Sequence, residues 1–400
     1  MKRTWKIISL VLAVMLLCSI AGCGNSTQSA PQAPAATEAA PAPAAAEPQQ
    51  EEPAPADPEV PGRSYPYTFT DMAGVEITLD KEVETVYIVG SVQPLVALYR
   101  YYRGSSDNLL EVPAASQSII ASSVMAEIWP DMLELKSHTD DANAEEILAL
   151  NPDVVFMTGS ATGDTYEALV NAGLTVVSFP TAGSGDDNDT FETVKNWLNQ
   201  MAEVFGDSEA ADALVSYNTQ TLADIDAALA NAAEKPKALI IFQLTPNSCR
   251  VAGSGHYSEF WLNHSGAENA AAEITKLQEV DIEQLMAWDP DIIYLTTFSP
   301  AMPEDLYNNT IEGFDFSQLS AVKNQQVHKI PLGSYRWYAP SCECALMLKW
   351  MSSINHPEIF GDMDMSQEVI DFIREFYNYE ANADQAAVLL NPSDTSIMSH

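Results

Sequence analysis

The sequence predicts an α/β protein: two Rossmann-like lobes with mostly parallel sheets, joined by one long bridging helix, with a cleft between the lobes. Three observations predict it. Short apolar, β-branched runs alternate with helical stretches, the pattern of parallel strands linked by crossover helices. One phrase occurs twice: "NAEEILALNPDVVFMT" from Asn143 and "DIEQLMAWDPDIIYLT" from Asp281 align without a gap. Between the copies lies a long helical stretch, 190–233.

Taken in order, the chain opens "MKRTWKIISLVLAVMLLCSIAGC". Lys2, Arg3 and Lys6 precede an apolar run from Ile7 to Leu17, shorter than the ~20 residues a spanning helix needs. A basic start, a short apolar run and then small residues read as an export signal over 1–22. Ile20-Ala21-Gly22-Cys23 resembles the lipobox of bacterial lipoproteins, so Cys23 is the expected lipidation site and its acyl chains the expected membrane anchor. Residues 23–64 are rich in Ala, Pro, Glu and Gln and are expected to form an extended tether. The folded part is expected to divide into an N-terminal α/β lobe (65–186), a helical connector (187–234) and a C-terminal α/β lobe (235–400).

"YTFTDMAGVEITL" alternates around Ala73-Gly74 and reads as a hairpin. "TVYIVG" is a buried parallel strand, "PLVALYRYY" a helix and "NLLEV" a further strand. The first copy of the doubled phrase is a short helix stopped at Pro152, then the strand "DVVFMT". "TYEALVNAG" is a helix with a glycine stop, and "TVVSF" a strand. The connector places Phe191, Val194, Trp197, Leu198 and Met201 on one helical face. Its second helix is expected to run for about 26 residues, roughly 40 Å. "KALIIFQL", the second copy of the phrase and "QVHKIPLG" supply the second lobe's strands, and the chain is mostly helical from Cys344 to Tyr377.

Composition narrows the function. Against 18 Lys and Arg stand 56 Asp and Glu, a net charge of −38, which excludes a nucleic-acid partner. Beyond Cys18 and Cys23 the cysteines are Cys249, Cys342 and Cys344, an odd number. A bridge from Cys249 to Cys342 or to Cys344 is left open, and Cys-x-Cys alone offers too few ligands for zinc.

"FTDMAGVEITL", the two "E…L-x-PD" phrases, "AGLTVV" and "WYAPSCECALMLKWMSSINHPEIF" together resemble the periplasmic binding proteins for iron complexes. The resemblance covers about Tyr67 to Leu390. It implies an ABC importer's substrate-binding lipoprotein, delivering a ferric siderophore, haem, cobalamin or molybdate to a permease driven by an ATPase. The expected ligand is an Fe(III) siderophore, a small-molecule chelate rather than a resident cofactor, and the expected state a monomer. The resemblance also implies that an acidic residue on each lobe meets permease arginines; the matching positions are Glu145 and Glu283.

In parallel sheets ligands sit beyond the carboxyl ends of the strands. That rule points to Gln93, Ser160 and Phe298, to Arg250, His256 and Tyr257, and to Tyr335, Arg336, Trp337 and Tyr338 in "GSYRWYAPS". Aromatic walls suit a large planar ligand, and a guanidinium suits its anionic oxygens. Trp129 is expected to face the same cleft. His256 and Tyr257 are the direct metal ligands only if the ligand is haem. The competing class is a chelatase-like enzyme, which needs a general base facing the metal. His256 is its one candidate, so no catalytic residue is assigned.

Overall fold

The first described element owes its shape to one carboxylate. Strands β1 (Tyr67–Thr70) and β2 (Glu76–Leu79) pair antiparallel. Asp71 Oδ1 accepts from Ala73 N at 2.9 Å and Val75 N at 2.8 Å, closing the turn. Its Oδ2 accepts from Ser178 N at 3.0 Å, fastening the hairpin to the first lobe's sheet. Gly74, at φ +84°, supplies the left-handed residue the turn requires. The computed structural model describes residues 63–90, 94–139, 143–181 and 189–392, all within the compact unit that begins at Pro55. The export signal, Cys23, nearly all of the tether and Gln93 lie outside the described residues.

The first lobe continues through β3 (Val86–Val89), α1 (Pro94–Arg103), β4 (Glu111–Pro113), α2 (Ala114–Ala121), α3 (Met125–Ile128), α4 (Asp131–Glu134) and β5 (Lys136–His138). It closes with α5 (Ala144–Leu150), β6 (Val154–Thr158), α6 (Asp164–Asn171) and β7 (Val176–Phe179). Strands β3, β6 and β7 form a parallel sheet in that order, and β4 pairs with β5. Every residue of β3 and β7 is buried, as expected where helices cover both faces.

Two helices follow: α7 (Thr190–Phe205), stopped by Gly206 at φ +80°, and α8 (Glu209–Leu229). At 21 residues α8 spans about 32 Å, less than the sequence suggests. Beyond Leu229 the side chains of 230–236 are not buried, so nothing holds a further turn. Helix α8 packs on α7 and α1 and, from the second lobe, on α9 (Tyr257–His264) and α13 (Cys344–Asn355).

The second lobe holds β8 (Lys237–Thr245), β9 (Ser248–Ala252), β10 (Glu268–Asn269), β11 (Leu277–Glu279), β12 (Ile292–Leu295) and β13 (Val327–Lys329). Between them lie α10 (Ile282–Trp288), α11 (Pro303–Tyr307) and α12 (Ser320–Lys323). The sheet order is β11-β9-β8-β12-β13, with β10 also on β8. The pairs β8–β12, β12–β13 and β8–β10 are parallel. The stretch around Arg250 is a correction: it forms β9, antiparallel to β8 through a turn at Asn247 (φ +60°), not a loop. The chain ends in α14 (Pro357–Phe360), α15 (Met365–Tyr377) and α16 (Ala383–Leu390).

The two copies of the phrase share their geometry. Asn143 caps α5 by accepting from Glu145 N, and Asp281 caps α10 by accepting from Gln284 N. Both helices end on a left-handed residue, Asn151 (φ 52°) and Asp289 (φ 40°). The aspartate of each Pro-Asp then grips the neighbouring strand. Asp153 Oδ2 accepts from Glu84 N at 2.9 Å and Thr85 N at 2.8 Å, at the start of β3. Asp291 Oδ2 accepts from Lys237 N at 2.9 Å, at the start of β8.

One apolar core runs through both lobes. It includes Ile88, Phe156 and Trp197 on one side and Trp261, Tyr294 and Trp337 on the other. From α15, Tyr377 reaches Trp129 (ring centroids 4.6 Å apart) and Phe376 reaches Tyr101 of α1 (6.2 Å). Cys249, Cys342 and Cys344 are buried free thiols, so neither bridge considered from the sequence forms.

Candidate ligand-binding cleft

The carboxyl ends of β8, β12 and β13 deliver three pieces to one place. Phe242, on β8, stacks on Phe298, which follows β12, with centroids 4.8 Å apart and planes 20° apart. The Arg336 guanidinium lies 4.4 Å from the Phe298 ring centre, in cation–π range. Its Nη1 donates to Thr297 O. Arg336 has φ +39°, a conformation costly for a residue with a Cβ and one that gathers at functional sites. The loop that holds it is pinned from behind. Glu343, 1 % exposed, accepts from Ser334 N at 2.8 Å and Ser334 Oγ at 2.7 Å. Burial pushes the Glu343 carboxyl up from its ordinary value. Gly333 (φ +60°) is required, because a Cβ there would collide with the Trp337 indole.

Beside this shelf, His256 caps α9 by accepting from Ser258 N. Its Nδ1 also lies 2.7 Å from Ser258 Oγ and 3.2 Å from Tyr338 Oη. Burial lowers its pKa to about 4, so the imidazole is neutral at neutral pH. Tyr257 packs on both, 4.1 Å from His256 and 4.7 Å from Tyr338 between ring centres. His256 and Tyr257 border a cavity of about 430 Å³ between the lobes. The first lobe contributes Thr181, after β7, and the connector contributes Thr190 and Thr193 of α7; the second lobe contributes Gly255, His256, Tyr257, Lys276, Leu277 and Pro340.

The structure gathers Arg336, Phe298, His256, Tyr257 and Tyr338, and brings Arg250 near them: its guanidinium lies 5.7 Å from the Phe242 ring centre. Tyr335, Trp337 and Tyr338 are buried at 4 %, 0 % and 0 % exposure. They carry the Arg336 loop rather than wall the cavity. Trp129 lies in the core, 1 % exposed, against Tyr377 and Arg100, and does not line the cavity. Ser160 follows β6 and is exposed, with its Oγ 3.1 Å from Thr162 Oγ1. Among the described residues, no group of three or more His, Cys, Asp or Glu side chains could hold a metal ion. Glu145 and Glu283 are exposed in the first turns of α5 and α10. A helix that precedes a parallel strand starts at the edge where the strands end, so both glutamates sit on the cleft side of their lobes. Sequence reasoning missed Phe242, Lys276, Thr190 and Thr193. Phe242 sits inside an all-apolar run, and the other three carry no local signal beyond the scarcity of lysine.

Two α/β lobes joined by a helical connector, with a cavity at their interface, define a binding protein. The periplasmic binding protein family matches residues 92–332, and the chain belongs to that family. It is 27 % identical over 266 residues to the molybdate-binding protein MolA of Haemophilus influenzae, over 62 % of this chain and 73 % of that protein. A solved periplasmic solute binding protein from Veillonella parvula matches with a TM-score of 0.73 at 29 % identity, over 82 % of this chain and 98 % of that one. Helicobacter pylori CeuE with Ni(II) bound matches in fold, with a TM-score of 0.62 at 22 % identity over 81 % of this chain and 99 % of that one. Among the described residues no helix is long and apolar enough to cross a membrane.

Proposed function

We propose that this chain is the monomeric solute-binding lipoprotein of an ABC importer, anchored through Cys23 on the outer face of the cell membrane. It captures an anionic metal chelate, a ferric siderophore, and hands it unchanged to the permease. One observation carries this reading. In a chain with 56 acidic residues, none of the described residues lining the interlobe cavity is acidic and one is a lysine. Arg336 and Arg250 stand on the aromatic cluster beside it. Such a surface attracts anionic oxygens and offers faces for a ligand's rings. Size favours a chelate over a bare oxyanion: the cavity of about 430 Å³ is some fourteen times a water molecule's share of ~30 Å³.

The test is tryptophan-fluorescence titration of the full-length chain with ferric siderophores, haem, cobalamin and molybdate. A ferric siderophore should bind with a Kd below about 10 μM. Tighter binding of molybdate or haem would move the ligand assignment, and failure of all four would remove the metal-chelate reading. For delivery, Glu145 and Glu283 supply one carboxylate per lobe to permease arginines, fixing orientation more than affinity. Glu145→Ala with Glu283→Ala should abolish uptake in cells while the Kd of the isolated protein stays unchanged. Normal uptake by the double variant would refute the docking role.

A further inference from the structure

One ring of the cleft has its proton fixed by its neighbours. His256 Nδ1 lies 2.7 Å from Ser258 Oγ and 3.2 Å from Tyr338 Oη, and Ser258 N donates to it at 3.4 Å where α9 begins. Ser258 Oγ and Tyr338 Oη also bond one another. Ser258 and Tyr338 are both 0 % exposed, so water does not complete their bonds. Among the described residues neither hydroxyl has a partner outside this triangle.

The donors and acceptors of the triangle fix the tautomer. With Nδ1 unprotonated, Tyr338 Oη donates to Ser258 Oγ and Ser258 Oγ donates to Nδ1. The Ser258 amide adds its own longer bond to Nδ1, and every donor is placed. With a proton on Nδ1, each ordering leaves one hydroxyl proton pointing at a nitrogen that cannot accept it. The Ser258 amide then faces an N–H as well. Buried donors without acceptors are costly. The neutral ring therefore carries its proton on Nε2. Among the described residues nothing partners Nε2. The ring is half-buried and lines the interlobe cavity, so this N–H is the edge left for a ligand.

We propose that His256 is a specificity-determining hydrogen-bond donor: its Nε2–H meets an acceptor oxygen of the chelate, and the imidazole does not bond the metal. A protonated Nε2 has no lone pair to give. A histidine that ligates through Nε2 donates its Nδ1–H to a carboxylate, a carbonyl or water. Here Nδ1 faces a backbone N–H instead, and moving the proton onto it would undo the cap of α9. Tyr257, the other candidate metal ligand, is held as a phenol, because burial pushes its pKa well above the ordinary value. Lys276 lines the same cavity and adds a second donor, a charged one. The site then reads the outer oxygens of a complete chelate. A ligand whose metal awaits an imidazole gains nothing from His256.

The ligand part rests on the cleft being the binding site; the tautomer part does not, and the two are read separately. Long-range 1H–15N correlation spectra of the ligand-free full-length chain, labelled at histidine, should show residue 256 in the Nε2–H pattern at pH 7. The signal is assigned by its loss in His256→Asn. An Nδ1–H pattern overturns the proposal whatever binds. A ferric tris-catecholate chelate should keep its charge-transfer absorption band unshifted when bound. Its Kd should be about tenfold weaker in His256→Asn, whose shorter side chain still caps α9 but does not reach where Nε2 stood. A band shift that His256→Asn abolishes would put the imidazole on the iron and overturn the proposal, as would an unchanged Kd. Ferric haem should give the same Soret spectrum with the wild type and with His256→Asn; a histidine-ligated spectrum found only in the wild type also overturns it. A chelate that fails to bind the wild type removes the cleft reading, and the tautomer and haem spectra still decide the role of His256.

Discussion

Arg336 combines two costs: burial of a charge and a left-handed backbone. Such costs persist where surrounding structure enforces them, and Glu343, Ser334 and Gly333 do so here. Arg336→Lys keeps the charge but loses the planar stack on Phe298 and the fork. It should weaken ligand binding by at least about tenfold with little change in melting temperature; equilibrium titration beside a thermal melt checks it. His256 makes a prediction about pH. Its folded pKa, about 4, lies below the ordinary histidine value of 6.5, so the stability it contributes is whole above pH 6.5 and falls as pH drops towards 4. His256→Asn can still cap α9, and urea melts of that variant between pH 6.5 and 4 should have a shallower slope than the wild type.

At the scale of elements, the Pro-Asp of each repeat does more than end a helix. Read from sequence it is punctuation; in the structure the aspartate grips the next parallel strand by its first amides. Burial raises the Asp153 pKa, but Lys81, Thr85 and Glu84 outweigh it and hold the carboxyl below its ordinary value. Asp153→Ala should cost about 2–4 kcal/mol by chemical denaturation. The helices and strands of the repeats were legible because caps, apolar period and Pro coincide within sixteen residues. Strand β9 was not, since its one charged residue and the Gly253 beyond it mimic a loop, although it pairs with β8 across a short turn; the β11 that covers its other edge comes from beyond α9. The cleft was half legible. Strand ends located Arg336, Phe298 and His256. Whether Trp337 or Trp129 faced the cavity or the core depended on packing that no local pattern encodes.

For the whole molecule the decisive number is the net charge of −38. A field of that sign opposes an anionic ligand until it reaches the cationic shelf. The association rate should therefore rise with added salt, by about tenfold between ~10 mM and ~1 M, before the cleft's own attraction is screened. Stopped-flow fluorescence measures it, and a rate that falls with salt would mean the cleft's field dominates at long range. The apolar core that passes from one lobe to the other has a kinetic consequence. Buried side chains shared between the lobes oppose a wide opening. A ligand should then enter a site already built, and stopped-flow binding rates should stay linear in ligand concentration without a plateau. Choice among similar chelates is made afterwards, by how long each one stays.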